Sequence, residues 1–297
     1  MQVRAVDLPE LRAELATALA QPDWTFFYDD RRAALARRGT PPTTTDELQR
    51  MEVGALLLDD LFYVTEEMYE LAKAAAKSLP SFTLQPEDVP SEFGFAYLAP
   101  GNHAPPGSLN SVAAVEWWPT GVGVRLNFYC ETEQMIASMT ALGKATPEQA
   151  DRHRRSVGSL SPMLSEAIIR FGHDPLEGTD EGDEEFVRTI RAMWLLMQQP
   201  LARQTDVTPD RATRKRLARS GREPAPVRLI ELRRPQGGGS SGGGDREYHH
   251  QWIVRGHWRQ HWYPARQVHR PVWIAPHIKG PEGAPLIGGE KVNFLKR

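Results

Sequence analysis

The run Trp252-Ile253-Val254-Arg255-Gly256-His257-Trp258-Arg259-Gln260-His261-Trp262 separates cleanly at a period of two. Even positions supply Trp252, Val254, Gly256, Trp258 and Trp262, with Gln260 the one polar member, and odd positions supply Ile253, Arg255, His257, Arg259 and His261. Successive side chains of a strand point to opposite faces, so a strand buries the first set and presents the second as a ladder of cationic and imidazole groups. A helix scatters both sets around its axis. The run is therefore read as a strand with one packed and one chemically active face. It sets the expected fold class: α+β, with an antiparallel sheet that includes this RGHWR strand, packed against N-terminal helices.

Downstream, Arg270-Pro271-Val272-Trp273-Ile274-Ala275-Pro276 reads as a second short strand whose prolines mark an edge or strand ends. Pro276 to Pro281 (PHIKGP) makes a constrained turn displaying His277 and Lys279, and Lys291 to Leu295 looks like a closing strand. Upstream, Gln236 to Gly244 (QGGGSSGGG) is a low-complexity loop between two strands, the first of them Val227 to Arg233. Before that strand, Thr208-Pro209 opens a helix, because proline is tolerated at the first helical position. On it Arg211, Arg214, Lys215, Arg219 and Arg222 recur at spacings of three and four, which gathers them on one basic face.

The N-terminal portion is mainly helical. Leu8 to Ala20 has helical periodicity behind Asp7. Thr44 and Glu47 fit a capping box ahead of Leu48, Met51, Leu56 and Leu57, and a third helix runs from Thr65 towards Pro80. Phe93 to Leu98 is a short strand, and Val112 to Trp118 and Val122 to Cys130 flank Pro119-Thr120-Gly121 as a hairpin. A two-residue loop there sets Glu116 opposite Arg125. That pair is open to two readings, a cross-strand ion pair on a solvated face or a carboxylate held in a cleft for acid–base work. Helix is expected to resume from Pro147 to about Phe171. An acidic stretch from Asp174 to Glu185 follows, and then a helix whose Phe186, Ile190, Met193, Trp194 and Met197 form a core stripe.

Charge is distributed unevenly. From residue 211 onward there are 18 Lys and Arg against 6 Asp and Glu, a net of +12, so the remaining 18 basic and 32 acidic residues give −14. Six of the nine histidines and four of the eight tryptophans also lie after residue 210. The chain divides accordingly into an acidic, mainly helical portion, 1–207, and a basic β-rich module, 208–297, which share one core. A basic block of this kind either neutralises the acidic portion or faces an anionic ligand such as nucleic acid. The single cysteine, Cys130, allows no internal disulfide. The opening residues enter an amphipathic helix rather than an apolar run, and no segment approaches the roughly 18 apolar residues of a membrane span. A cytoplasmic protein that does not engage membranes is expected.

Two arginines flanking a histidine suit a phosphodiester. Guanidinium groups bind phosphate oxygens bidentately and keep their charge, whereas imidazole titrates near neutral pH. Arg255, Arg259, Arg270, Lys279, Arg211, Arg214, Lys215 and Arg219 are the candidate phosphate-binding residues. His257, His261 and Glu116 are the candidates for acid–base chemistry, with His269 and His277 as further partners. His257 and His261 have zinc-type H-x3-H spacing, but four residues along a strand separate them by about 13 Å. Neither metal nor cofactor is expected. The absence of Walker, G-x-G-x-x-G and G-x-S-x-G patterns gives nucleotide hydrolase, dinucleotide oxidoreductase and serine hydrolase readings no support.

On Arg255 to Arg259 (RGHWR), Trp262-Tyr263-Pro264, Val272 to Pro276 (VWIAP) and Lys279 to Glu282 (KGPE), the C-terminal third resembles an uncharacterised family met in actinobacterial genomes, phages and plasmids. Leu229 to Arg234, the basic helix before it and Val89 to Phe95 (VPSEFGF) carry the likeness upstream. The resemblance implies association with mobile elements and assigns no catalytic residue.

Three function classes follow. The favoured one is a nucleic-acid-binding protein, RNA or DNA, whose catalytic extension is a metal-independent ribonuclease of the toxin or mobile-element-effector kind. The alternative is a protein-interaction module, an inhibitor or adaptor gripping an acidic partner. The third gives the basic strand a structural role and puts the site near Glu116 and Arg125.

Overall fold

A computed structural model describes residues 3–37, 44–101, 103, 111–173, 181–219, 221–233 and 251–281. The Gln236–Gly244 loop, the Lys291–Leu295 strand and most of the acidic stretch lie outside the described residues.

The expected capping box at Thr44 and Glu47 forms, whereas Asp7 makes no side-chain cap bond. Thr44 Oγ1 accepts from the Glu47 backbone N–H and Glu47 returns to the Thr44 N–H, opening α3 (Thr45–Leu58) behind α1 (Leu8–Leu19) and α2 (Thr25–Arg37). After β1 (Asp60–Val64), Thr65 precedes α4 (Glu66–Ala76). The strands β2 (Gly94–Leu98), β3 (Ala114–Pro119) and β4 (Gly123–Glu131) lead to α5 (Thr132–Ala141), α6 (Pro147–Val157) and β5 (Leu160–Arg170). Then come α7 (Glu181–Met197), β6 (Ala202–Val207), the basic helix α8 (Arg211–Arg219) and β7 (Val227–Leu232).

Seven strands form one sheet in the order β5-β4-β3-β2-β1-β7-β6. β1 runs parallel to β2 and β7, and the other neighbours are antiparallel. The fold class is α+β. One face packs Phe62, Val64, Ala96, Leu98, Trp117 and Ile230 against α4 and against the α7 stripe of Phe186, Ile190, Met193, Trp194 and Met197. The opposite face packs Leu61, Phe95, Tyr97, Tyr129 and Val227 against apolar residues of α1, α2 and α3.

Two sequence expectations are corrected in this sheet. Residues 160–170 form a strand rather than the end of a helix. Leu160, Met163, Leu164, Ala167, Ile168 and Phe171 have helical spacing, yet Gly158 at φ +73° ends α6 and β4 offers a long antiparallel partner. The β3–β4 turn also sits one residue later than expected: the Thr120 N–H donates to the Gly123 carbonyl at 2.7 Å, and Pro119 pairs with Val124. Glu116 therefore faces Asn127, and Arg125 faces Trp118.

The RGHWR segment lies outside the large sheet. β8 (Trp252–Val254) pairs with β11 (His277–Lys279), and β9 (His257–Tyr263) pairs with β10 (Val268–Ile274), all antiparallel. The two pairs keep one register, Ile274 opposite His257 and His277 opposite Val254, so they are a single long hairpin interrupted at Arg255-Gly256 and Ala275-Pro276. Pro276 has no N–H to give the ladder at that point. Gly256 is required there, because a Cβ would run into the Trp273 ring at Cζ2.

Trp273 joins the core shared with α4 and α7, and its backbone N–H donates to Gln199 Oε1 at 3.0 Å. Trp258 stacks edge-on against Trp273 at 5.3 Å and donates its indole N–H to the Ala75 carbonyl at 2.8 Å. These contacts dock the hairpin on the α4/α7 face. Among the described residues no helix is long and apolar enough to cross a membrane.

Candidate functional site

Beyond its docked base the hairpin is exposed and carries no acid: between Trp252 and Lys279 there are four arginines, one lysine, four histidines and no Asp or Glu. Arg255, His257, Arg259 and His261 are all exposed while Trp258 is half-buried, so the alternation separates charge from packing over this stretch. It fails at the far end. Trp262, from the apolar set, is 44% exposed and Tyr263 is 37% exposed. The core has run out there, so both faces of the ribbon meet solvent.

The exposed rings are ordered against one another. Trp262 lies 4.8 Å from its cross-strand partner His269, and His261 stands edge-on to Tyr263 at 4.9 Å. The turn that joins them carries Arg266 and is closed by the Arg266 N–H donating to the Tyr263 carbonyl at 3.1 Å. His257 directs Nδ1 to the Arg255 carbonyl at 3.0 Å, and His277 repeats this with the Ala275 carbonyl at 3.1 Å. These contacts hold both rings at the interruption, and both histidines are exposed.

Not every residue expected at the site takes part. Arg270 is occupied, with Nη2 at 3.2 Å from Glu87 and 3.3 Å from the buried carboxylate of Asp88. It therefore clamps the hairpin to the body of the protein, a role the sequence reading did not give it. Lys279 is exposed at the outer end of β11, opposite Trp252. The basic helix is the larger correction. α8 buries Thr213 and Leu217 and lies on α1, where Arg216 pairs with Glu10 and Arg222 donates to Thr17 Oγ1 at 2.9 Å. Since α1 covers the sheet face opposite to the hairpin, Arg211, Arg214, Lys215 and Arg219 do not extend the hairpin's surface. An open cleft of about 730 Å³ lies among α1, α6 and α8, with Arg155 and Arg222 but also Glu14 and Asp23 in its walls.

Glu116 is likewise not with the histidines. It is fully buried on the α1–α3 side of the sheet, where it accepts from Tyr129 Oη at 2.5 Å and from Asn127 Nδ2 at 3.3 Å. Around it stands an ionic group that the sequence reading missed. Glu52 of α3 takes Arg31 of α2 at 2.9 Å and Arg125 of β4 at 3.5 Å, while Arg12 of α1 donates to the Asp59 carbonyl at 2.7 Å. A signal was present. Arg31 falls between Phe27 and Leu35, and Glu52 between Leu48 and Leu56, each at i±4 on an apolar stripe where a charge must find a buried partner.

Burial, reinforced by the charge of Glu52, pushes the Glu116 carboxyl up to about 8, while the Tyr129 and Asn127 hydrogen bonds oppose this. Asp59 is raised in the same sense by burial and by Glu116. Against an ordinary value of 4.5, Glu116 in the folded chain retains a proton that the unfolded chain has lost anywhere between about 4.5 and 8. Stability contributed by this group is accordingly present at low pH and declines as pH rises through that window, with a limiting slope of about 1.4 kcal/mol per pH unit. Glu116→Gln mimics the protonated form and is expected to flatten the slope, as read by urea unfolding from pH 5 to 8. Parallel curves for wild type and variant would overturn the assignment.

Comparisons of the chain with known protein families, with curated proteins and with solved structures found no match.

Proposed function

We propose that the protein binds nucleic acid through the exposed half of the hairpin, in the mobile-element setting that its family resemblance implies. The observation that carries this reading is the tip itself: Trp262 and Tyr263 exposed beside Arg259 and Arg266 on a ribbon without acids. Guanidinium groups hold phosphates, and exposed rings stack on bases whatever their identity. An acidic protein partner, which could also use the exposed rings, stands second because an acid-free row of cations matches the regular charge of a phosphate backbone.

Replacing Trp262 by alanine is expected to weaken binding of single-stranded RNA or DNA on the order of tenfold, since a base–aromatic stack contributes about 1–3 kcal/mol. Arg255→Glu with Arg259→Glu is expected to lower affinity and also to reduce the slope of log K against log salt, by roughly 0.7 for each phosphate no longer neutralised. Fluorescence anisotropy across a salt series checks both. Unchanged affinity in all three substitutions would remove the hairpin from the function.

Cleavage is tested separately. His257 stands between Arg255 and Arg259 with its Nδ1 held, the position from which an imidazole exchanges a proton with a bound phosphodiester. Incubating wild type and His257→Ala with single-stranded RNA and a chelator is expected to show turnover lower by about 100-fold or more in the variant, with affinity largely kept. Equal cleavage by both proteins, or none by wild type, leaves binding as the function.

A further inference from the structure

We infer that α8 is a second, independent nucleic-acid surface and that the protein bridges two segments of nucleic acid, one on each side of its sheet. The inference rests on the hairpin reading for the first segment.

The outward arc of α8 holds Arg211, Arg214, Lys215 and Arg219, which project within roughly 140° of one another at 100° per residue. All four are exposed, and none forms an ion pair with another described residue. The helix is held from behind. Thr213 and Leu217 are buried, Asp210 Oδ1 caps the first turn by accepting from the Thr213 N–H at 2.7 Å, and Arg216 on the flank is fixed by Glu10. The basic residue of α8 that meets an acid therefore serves docking, while the other four face solvent on a rigid element. A straight ridge of cations already ordered in this way matches a row of phosphates, which binds by charge rather than by sequence.

The two cationic surfaces cannot serve one short contact. The hairpin is seated on the α4/α7 face through Trp258 and Trp273, and α8 is seated on α1 across the sheet. A helix layer about 10 Å thick on each side of the sheet puts the surfaces roughly 30 Å apart. At physiological salt the Debye length is about 8 Å, so polyanions held roughly 30 Å apart repel one another little across the surrounding solvent. Residues 1–210 carry 32 acidic and 18 basic side chains, and that negative body disfavours contact anywhere between the two surfaces.

The test uses the full chain and a duplex DNA with a single-stranded overhang, one copy fixed to beads and a second copy fluorescent in solution. Wild type bound to the beads is expected to capture the fluorescent copy in proportion to protein. The variant Arg211→Glu/Arg214→Glu/Lys215→Glu/Arg219→Glu is expected to remain on the beads through the hairpin and to capture at least about tenfold less. Should the charge reversals impair folding, the four-glutamine variant provides the same comparison with milder chemistry, and a thermal melt identifies which variant to read. Undiminished capture by the folded α8 variant would overturn the inference, because bridging would then come from self-association of the hairpin-bound protein. Wild type that binds the beads yet captures nothing would overturn it as well, with the hairpin reading intact. Failure of wild type to bind the beads at all would overturn both.

Discussion

Glu52→Ala is expected to cost about 3–5 kcal/mol of folding stability, the loss that follows when one member of a buried ion pair is removed and its partner is left uncompensated. Two arginines depend on this carboxylate. Arg31 holds it at 2.9 Å, donates also to the Met163 carbonyl, and lies with its guanidinium 4.7 Å from the Phe27 ring centroid. Arg125 approaches the second oxygen at 3.5 Å and lies over Trp118. Neither can lose its proton to escape burial, so the desolvation cost of two guanidinium groups falls on the fold once the anion is gone. Domains are stable by only about 5–15 kcal/mol, and the variant should be largely unfolded on mild warming. Glu52→Gln retains shape and one acceptor, and is expected to fall between. Urea midpoints of the three proteins decide the matter. A loss below about 1 kcal/mol in Glu52→Ala would mean that Glu116 or Asp59 takes over the arginines.

Trp273→Ala is expected to be comparably severe, about 3–5 kcal/mol, and to act first on the hairpin. Trp273 is 7% exposed and is the ring around which the ribbon is seated: Gly256 makes room for it, Trp258 packs on its edge, and the core of α4 and α7 receives it. Without it the remaining anchors are the indole hydrogen bond of Trp258 to Ala75 and the backbone N–H of residue 273 on Gln199, each worth about 1 kcal/mol, and the Arg270 clamp on Glu87 and Asp88. Tryptic cleavage after Arg255, Arg259 and Arg266 should accelerate at urea concentrations where the sheet is still folded, and nucleic-acid affinity should fall with it. Trp273→Phe should keep most of the protection. An unchanged tryptic pattern in Trp273→Ala would show that the ribbon is held elsewhere.

Features with a local cause were legible in the sequence. The Thr44–Glu47 capping box, the α7 stripe ending in Trp194 and Met197, and the period-two alternation that exposes His257 and packs Trp258 depend on neighbours within a turn or a strand. The basic face of α8 and the acid-free run from Trp252 to Lys279 are likewise properties of spacing and composition. What the sequence left open depends on partners far along the chain. Residues 160–170 have helical spacing but become a strand because β4 is available to pair with them. A one-residue displacement of the turn after Pro119 moves Glu116 from Arg125 to Asn127, and burial beneath α2 and α3 then brings in Arg31 and Glu52, which no spacing rule connects to it. Arg270 has the sequence surroundings of a phosphate ligand and is consumed by Glu87 and Asp88, over 180 residues earlier in the chain. Above all, helix periodicity says which residues share a face but not which side of a sheet the helix will cover. That depends on where the chain crosses, and the crossing here sets the two basic elements back to back, turning one expected surface into two.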